Sequence, residues 1–226
     1  MQGHSHALSG AAAGAAAGEF AMHLPVTGTL TLALLTAGFA TVLDTDQHCS
    51  TAARSLGFLS QLFARFVEKV SGGHRHATHS AFGVAVFTAL AWAACHYRAT
   101  VPGKAGLAFT AALAVASALR ALRLGGHHSD LLGIAAAGLV VWQGWGLALI
   151  PVACALGCTI HLIGDACTDE GIPIAWPLFR GHIRLLPEPF AFTTDSRPER
   201  WFVGPALLLA LAWLAWHAVA FQAVAR

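Results

Sequence analysis

Apolar residues in this chain come in long runs separated by short polar clusters, a helical rather than an alternating pattern. Ala7 to Ala21 is a short segment of small residues, closed by Glu19 and a turn near Met22-His23-Leu24-Pro25. Val26 to Leu43 follows as an apolar run of almost membrane-spanning length. Ser80 to Tyr97 is the second strong run, closed by Arg98 and a turn at Pro102-Gly103. Ala105 to Leu122 is the third, ended by Arg120, Arg123 and Gly125-Gly126. Ser129 to Ile163 is too long for one crossing of about 20 residues, so a break is expected at Gln143-Gly144-Trp145-Gly146. Phe202 to Val224 is the last apolar run, with Trp201, Trp213 and Trp216 placed as interface anchors.

Two stretches differ. Within Asp44 to Gly73, Leu56, Leu59, Leu62, Phe63, Phe66 and Val70 recur at helical spacing with Arg54, Arg65, Glu68 and Lys69 interleaved. That predicts an amphipathic helix lying at the interface or over the end of a bundle. Gly164 to Arg200 is polar and rich in Pro and Arg. The expected fold is therefore all-α: a multi-pass transmembrane helical bundle of about seven short helical segments plus one interfacial amphipathic helix. Small residues let short helices approach closely. No linker divides the chain, so residues 1–226 are expected to form a single domain, and no internal repeat is visible.

Composition strengthens the membrane reading. Of 226 residues 56% are hydrophobic and only 11% charged, and the mean hydropathy is +0.62. Soluble domains carry roughly 25% charged residues, so this chain has too little polar surface to cover itself in water. A net charge of +2 excludes the strongly basic balance of a nucleic-acid binder, and no direct nucleic-acid contact is expected. The five cysteines form no CxxC pair, which argues against a disulfide framework, and Cys154 and Cys158 read as small core residues. The first 20 residues lack a basic n-region, so no secretory signal is expected.

The chemistry-bearing residues converge by parity. If each apolar run is one crossing, then His6, the group Asp44, Asp46 and His48, the group His74, His76 and His79, and the pair His161 and Asp165 all reach the same end. The same count places Arg54, Arg65, Lys69, Arg75, Arg120, Arg123, Arg180, Arg184, Arg197 and Arg200 at that end, against Arg98, Lys104 and Arg226 at the other. By the positive-inside rule the site end is expected in the cytoplasm of an inner-membrane protein.

His161 and Asp165 stand at i and i+4, the spacing by which one helix offers two ligands to one metal; a plain His–Asp hydrogen bond is the alternative. Asp44 and Asp46 repel unless a cation intervenes, although Asp pairs also serve as caps and turns. His48 is a further candidate ligand beside them. His74-Arg75-His76-Ala77-Thr78-His79-Ser80 is the densest run, and the planar fork of Arg75 suits a phosphate oxygen. Asp169 and Glu170 are placed to support the site from its edge. His23, His96, His127, His128, His182 and His217 have no carboxylate nearby in sequence and are expected to play no part. Two or three imidazoles with two or three carboxylates suit a divalent metal, zinc first and manganese or iron next. Such a site activates water near neutral pH, and the flanking arginines make a phosphoester the natural substrate.

These residues resemble a known family. Ser5-His6 with Gly10, Leu43-Asp44-Thr45-Asp46 with Ser50-Thr51, the run His74 to Ser80, and His161 to Asp165 followed by Thr168-Asp169-Glu170-Gly171-Ile172-Pro173-Ile174-Ala175-Trp176-Pro177 occur in order over nearly the whole length. The chain is similar to the LexA-binding, inner-membrane-associated metal-dependent hydrolases of the YdjM type. The family pattern usually reads Pro-Asp-x-Asp-His-Pro and His-Arg-Gly-x-Thr-His-Ser; here Leu43, Gln47, His48 and His76 depart from it. That family also looks like a distant relative of the all-helical zinc-dependent phospholipase C and nuclease P1 enzymes. The likeness implies His6, Asp46, His79, His161 and Asp165 as metal ligands, with Asp165 bridging two ions.

The expectation is a membrane-bound, metal-dependent hydrolase of a phospholipid or lipid-linked phosphate. Arg75 would stabilise developing charge, Asp44 would orient a ligand or accept a proton, and His74 would stand beside them as a catalytic group. The rival expectation is a non-catalytic, metal-stabilised membrane protein that recruits a regulatory protein partner.

Overall fold

A computed structural model describes residues 1–188 and 190–224, with side chains as far as 220. Eight α-helices, and no named strand, occur among the described residues. They are α1 (Gly3–Ala16), α2 (Val26–Val42), α3 (Phe58–Ser71), α4 (Ala81–His96), α5 (Val101–Ala121), α6 (Ser129–Gln143), α7 (Ile150–Ala166) and α8 (Gly204–Val224). The all-α bundle of seven apolar segments and one amphipathic helix is thus the fold observed. Four helical stretches are long and apolar enough to cross a membrane: Val26–Asp46, Val101–Ala121, Leu147–Ala166 and Glu199–Ala220.

Helix ends follow local chemistry. Ser80 and Thr100 cap α4 and α5, their hydroxyls accepting from the backbone N–H of Gly83 and Gly103 at 3.1 Å. Pro102 therefore sits inside the first turn of α5, where its missing N–H costs nothing, and not in a turn before it as the sequence suggested. The break between α6 and α7 falls where expected, at Gly144 and Gly146, both in left-handed backbone. The first helix begins at Gly3, ahead of Ala7, and so carries His6 within it.

α2 is the axis of the bundle, packed against α1, α5 and α7. Its span is 72% buried, against 17% for the span that contains α8. Gly10, Gly14 and Gly18 bring α1 onto it: a Cβ at Gly10 would lie 2.6 Å from the Thr36 carbonyl oxygen. Across the other face, a Cβ at Gly38 would lie 1.9 Å from the carbonyl oxygen of Ala114 on α5. Backbone approach of this kind is how helices associate where lipid removes the hydrophobic drive.

The amphipathic helix α3 turns the opposite way from a soluble one. Its buried face is Ser60, Ala64, Val67 and Ser71, while Phe58, Leu59, Leu62, Phe66 and Val70 point outward and Phe63 is half-buried. An outward apolar face is what a helix at a membrane surface presents. α3 packs against the 3-10 turn Leu43–Asp46 at the end of α2, so it covers the end of the bundle that bears the site. Arg226, counted among the basic residues of the far end, lies outside the described residues.

The close contacts of α2 predict a sharp contrast in stability. Gly38→Ala should destabilise the protein by roughly 2 kcal/mol or more through overpacking. Gly138→Ala, where a new Cβ meets nothing within 4 Å, should be neutral or stabilise by up to about 1 kcal/mol. Thermal unfolding of both variants in detergent measures the difference; equal midpoints would mean that α2 and α5 are not in backbone contact.

Candidate metal centre

Four helix ends assemble the site. The start of α1 is held by Glu199, a fully buried carboxylate that accepts from the backbone N–H of Gln2 at 2.7 Å and of Asp195 at 2.8 Å. One turn further along α1, His6 is buried and stacks on His161 at 3.8 Å between ring centroids. At the end of α2 the chain tightens into the 3-10 turn that carries Asp44 and Asp46. A second 3-10 turn, Ala77–His79, delivers His79 just ahead of α4. α7 presents His161 and Asp165 one turn apart, both buried.

The geometry centres on two imidazole nitrogens. His79 Nε2 and His161 Nε2 are 3.0 Å apart. Asp44 Oδ1 lies 3.6 Å from each, and Asp165 Oδ2 lies 3.5 Å from each. The opposite ring edges fix what these nitrogens are. His161 Nδ1 is 2.7 Å from the carbonyl oxygen of Ala40, which can only accept. His79 Nδ1 is 3.0 Å from Asp46 Oδ2. In the neutral rings both Nδ1 atoms then carry the proton, and both Nε2 atoms present lone pairs. Two ring nitrogens and two carboxylate oxygens therefore face one another, a set that needs a positive charge, either the extra proton that His79 takes up or a bound cation.

A divalent metal fits this requirement. Four donors on a tetrahedral ion with bonds of about 2.0–2.1 Å stand about 3.3 Å apart, and the five separations above span 3.0–3.6 Å. His6 extends the cluster through Nε2, 3.1 Å from Asp165 Oδ1, while its buried Nδ1 has no partner among the described residues. The amino nitrogen of Met1 also reaches Asp165 Oδ1, at 2.5 Å. Two groups able to hold an ion meet here: Asp44, Asp46, His74 and His79, and His6, His161 and Asp165.

Asp46 and Asp44 meet His79 on opposite edges of its ring. Asp46 is fully buried on the outer edge of His79, where His74 Nδ1 (2.8 Å), the Arg75 backbone N–H (3.2 Å) and the Thr78 hydroxyl (2.5 Å) also reach it. It is Asp44 that faces Nε2. His48 stays out of the cluster, pairing with Glu68 on α3 at 3.0 Å in an exposed position. His74 and Arg75 are both at the site, and Arg75 Nη2 is 3.5 Å from Asp165 Oδ1. The histidines set aside from the sequence stay apart from the cluster, although His217 does meet a carboxylate, Glu19 at 3.3 Å.

Several contributors leave little trace in sequence. The Ala40 carbonyl carries no side-chain signal at all. Glu199 acts on Gln2 from 197 residues away. Thr168 donates to the Asp165 carbonyl at 2.6 Å and stands 3.5 Å from Arg75 Nη1; its place three residues after Asp165 was the one available hint.

An all-helical membrane protein with a buried His/Asp cluster at one end of its bundle is thereby defined. The model of the YdjM inner membrane protein family matches residues 1–224, and the chain belongs to that family. No curated protein and no solved structure matches it.

The same geometry sets a proton linkage at His79, which lies ahead of α4 and outside the spans. Burial works to lower its pKa, but the hydrogen bonds and charges of Asp44 and Asp46 prevail and raise it from 6.5 to about 9. In the metal-free protein this raised pKa contributes stability that is complete below about 6.5 and is lost as pH rises through about 9. A metal needs the neutral ring, so its apparent affinity should climb by up to about tenfold per pH unit until pH 9 and then level. Calorimetric titration in buffers of different ionisation enthalpy should show about one proton released per ion at pH 7. No proton release would place His79 outside the metal's ligand set.

Proposed function

We propose that this chain is a membrane-embedded, metal-dependent hydrolase of a phosphoester, such as a phospholipid or lipid-linked phosphate, carried by the whole chain as one domain. The observation that carries the reading is the facing set of His79 Nε2, His161 Nε2, Asp44 Oδ1 and Asp165 Oδ2, four donors at the mutual spacing a divalent cation would take. Zinc is the ion we assign, because imidazole and carboxylate donors suit it. His6 belongs to the same set through Asp165. A bound divalent ion supplies Lewis acidity and activates water near neutral pH.

The chain's own residues do the rest. Asp46 holds the His79 ring by Nδ1 and the Ala40 carbonyl holds His161, so both Nε2 atoms point inward. Arg75 places a guanidinium beside Asp165, where charge would develop on phosphorus-bound oxygens. His74, held by Asp46 and partly open to solvent, is the group placed to move a proton at the mouth. A site at a bundle end meets lipid headgroups, which favours a lipid phosphoester. The basic residues concentrated at that end support a cytoplasmic orientation.

A second reading keeps the metal and drops the chemistry. Four side chains already close around one point, as in a structural site that steadies a membrane protein for a protein partner. The two readings separate on chelation: a structural site loses the fold with the ion, whereas a catalytic site loses turnover first.

Elemental analysis and a phosphoester screen test the proposal together. Asp44→Asn and His161→Ala should lose the metal and all activity. Asp46→Asn should keep a weakened site, with metal affinity down about 10- to 100-fold, because it acts through His79. If His161→Ala and Asp165→Ala both retain full metal and full activity, the assignment is wrong.

A further inference from the structure

Arg75 is the one guanidinium among the described residues that the fold buries against the cluster, and its surroundings are incomplete. Its backbone is left-handed, with φ at 57°, and its side chain is 9% exposed. Nη1 makes a short contact to Glu170 Oε2, 2.6 Å, and a long one to Thr168 Oγ1, 3.5 Å. Nη2 is 3.5 Å from Asp165. Nε is buried with no hydrogen-bond partner among the described residues. Among the described residues the guanidinium's only acceptor closer than 3.5 Å is thus a carboxylate whose own side chain is 65% exposed.

The segment that carries Glu170 is pinned on both sides. The Asp169 N–H donates to the Phe192 carbonyl at 3.2 Å, and Ile172 and Ile183 exchange two backbone hydrogen bonds of 3.2 and 2.8 Å. His182 Nδ1 reaches the Glu170 carbonyl at 3.0 Å. Gly171 has φ at 64°, and a Cβ there would lie 2.8 Å from the Ile183 carbonyl oxygen. With the backbone held, Glu170 can leave Arg75 only by turning its side chain into solvent.

We propose that the Arg75 guanidinium is the seat of an oxyanion, a phosphoryl group, and that Glu170 fills this seat as a displaceable carboxylate until that group arrives. This rests on the phosphoester reading of the same site. An exposed carboxylate gives up an ion pair at small cost, since water solvates it again. A phosphoryl group brings several acceptor oxygens to the fork and satisfies the orphan Nε as well. Departure of Glu170 also removes one of the four carboxylates, with Asp44, Asp46 and Asp165, that would repel an incoming anion. Glu170 then acts as a selectivity filter: a ligand without a strong oxyanion does not displace it.

The test is a titration of the full chain in detergent, metal content recorded, with inorganic phosphate in one arm. Micelles containing phosphatidic acid, against micelles of the neutral diacylglycerol, form the other. Glu170→Gln should tighten phosphoryl binding by up to about fivefold, the factor expected on removing a weak competing ion pair. In an Arg75→Lys background the gain should vanish. A gain in both arms means that the seat reads the phosphoryl group itself. A gain confined to the micelles assigns it to a lipid headgroup, and one confined to inorganic phosphate assigns it to a free ion. Unchanged or weaker binding by Glu170→Gln in both arms overturns the proposal, as does an equal gain without Arg75. Metal content keeps the two readings apart. A gain in protein that never holds metal leaves the anion seat standing and removes the hydrolase reading. Metal with no gain does the reverse.

Discussion

Everything at the site end of this protein depends on one electrostatic constraint: four acceptor atoms are turned toward a common point from which water is largely excluded. Lone pairs on two imidazoles and oxygens on two carboxylates cannot share that space by themselves, because each repels the others in a medium that screens poorly. A proton relieves the conflict in the metal-free state, which is why His79 holds one to about pH 9. A bound cation would relieve it too, held by the same side chains. The Ala40 carbonyl and Asp46 matter because they remove the other solution, a ring flip or tautomer change that would turn an N–H inward.

The bundle is built to hold that point fixed. The donors come from four separate segments, so a small shift of any helix would open the 3.0–3.6 Å spacings. α2 resists such shifts by packing backbone to backbone with both α1 and α5, at Gly10, Gly14 and Gly38. Gly164 serves the site directly, since a Cβ there would stand 3.2 Å from the His6 ring. Glu199 ties the start of α1 to the approach of α8 and so registers His6 against α7. The least buried of the four long apolar spans thus still has a hand in the geometry of the centre.

Much of this was legible in the sequence, for definable reasons. Apolar run length fixes where helices lie, and alternation of direction then decides which termini meet. That parity sufficed to bring His6, Asp44, His79, His161 and Asp165 together. The direction of α3 also follows once the solvent is recognised as lipid. Its large apolar face turns outward because lipid tails are as apolar as a core, and Ser60, Ala64 and Ser71 allow the closer inward packing. What periodicity could not give was the division of labour between Asp44 and Asp46. Two residues apart on a tight turn, they must point to different sides, but which one meets Nε2 depends on how the His79 ring is held. That in turn depends on Thr78 and on the backbone at Arg75. The decision is made in three dimensions by neighbours that carry no pattern of their own.

The different settings of the two carboxylates have a chemical consequence. Asp46 accepts from four groups and is sealed from solvent, so its charge is spent on holding His74, Arg75, Thr78 and His79 in place. Asp44 makes fewer commitments, and its side chain retains 16% of its exposure. A carboxylate so placed is reachable from outside, whereas the three other facing donors are sealed within the bundle. The polar rim of the cluster is its exposed side, where Asp44, His74 and Glu170 keep solvent access. That rim offers one buried cation, Arg75, beneath an exposed carboxylate. On the hydrolase reading proposed above, a ligand would have to be negative enough to claim Arg75, a condition that a phosphoryl group meets and a neutral amide or ester does not.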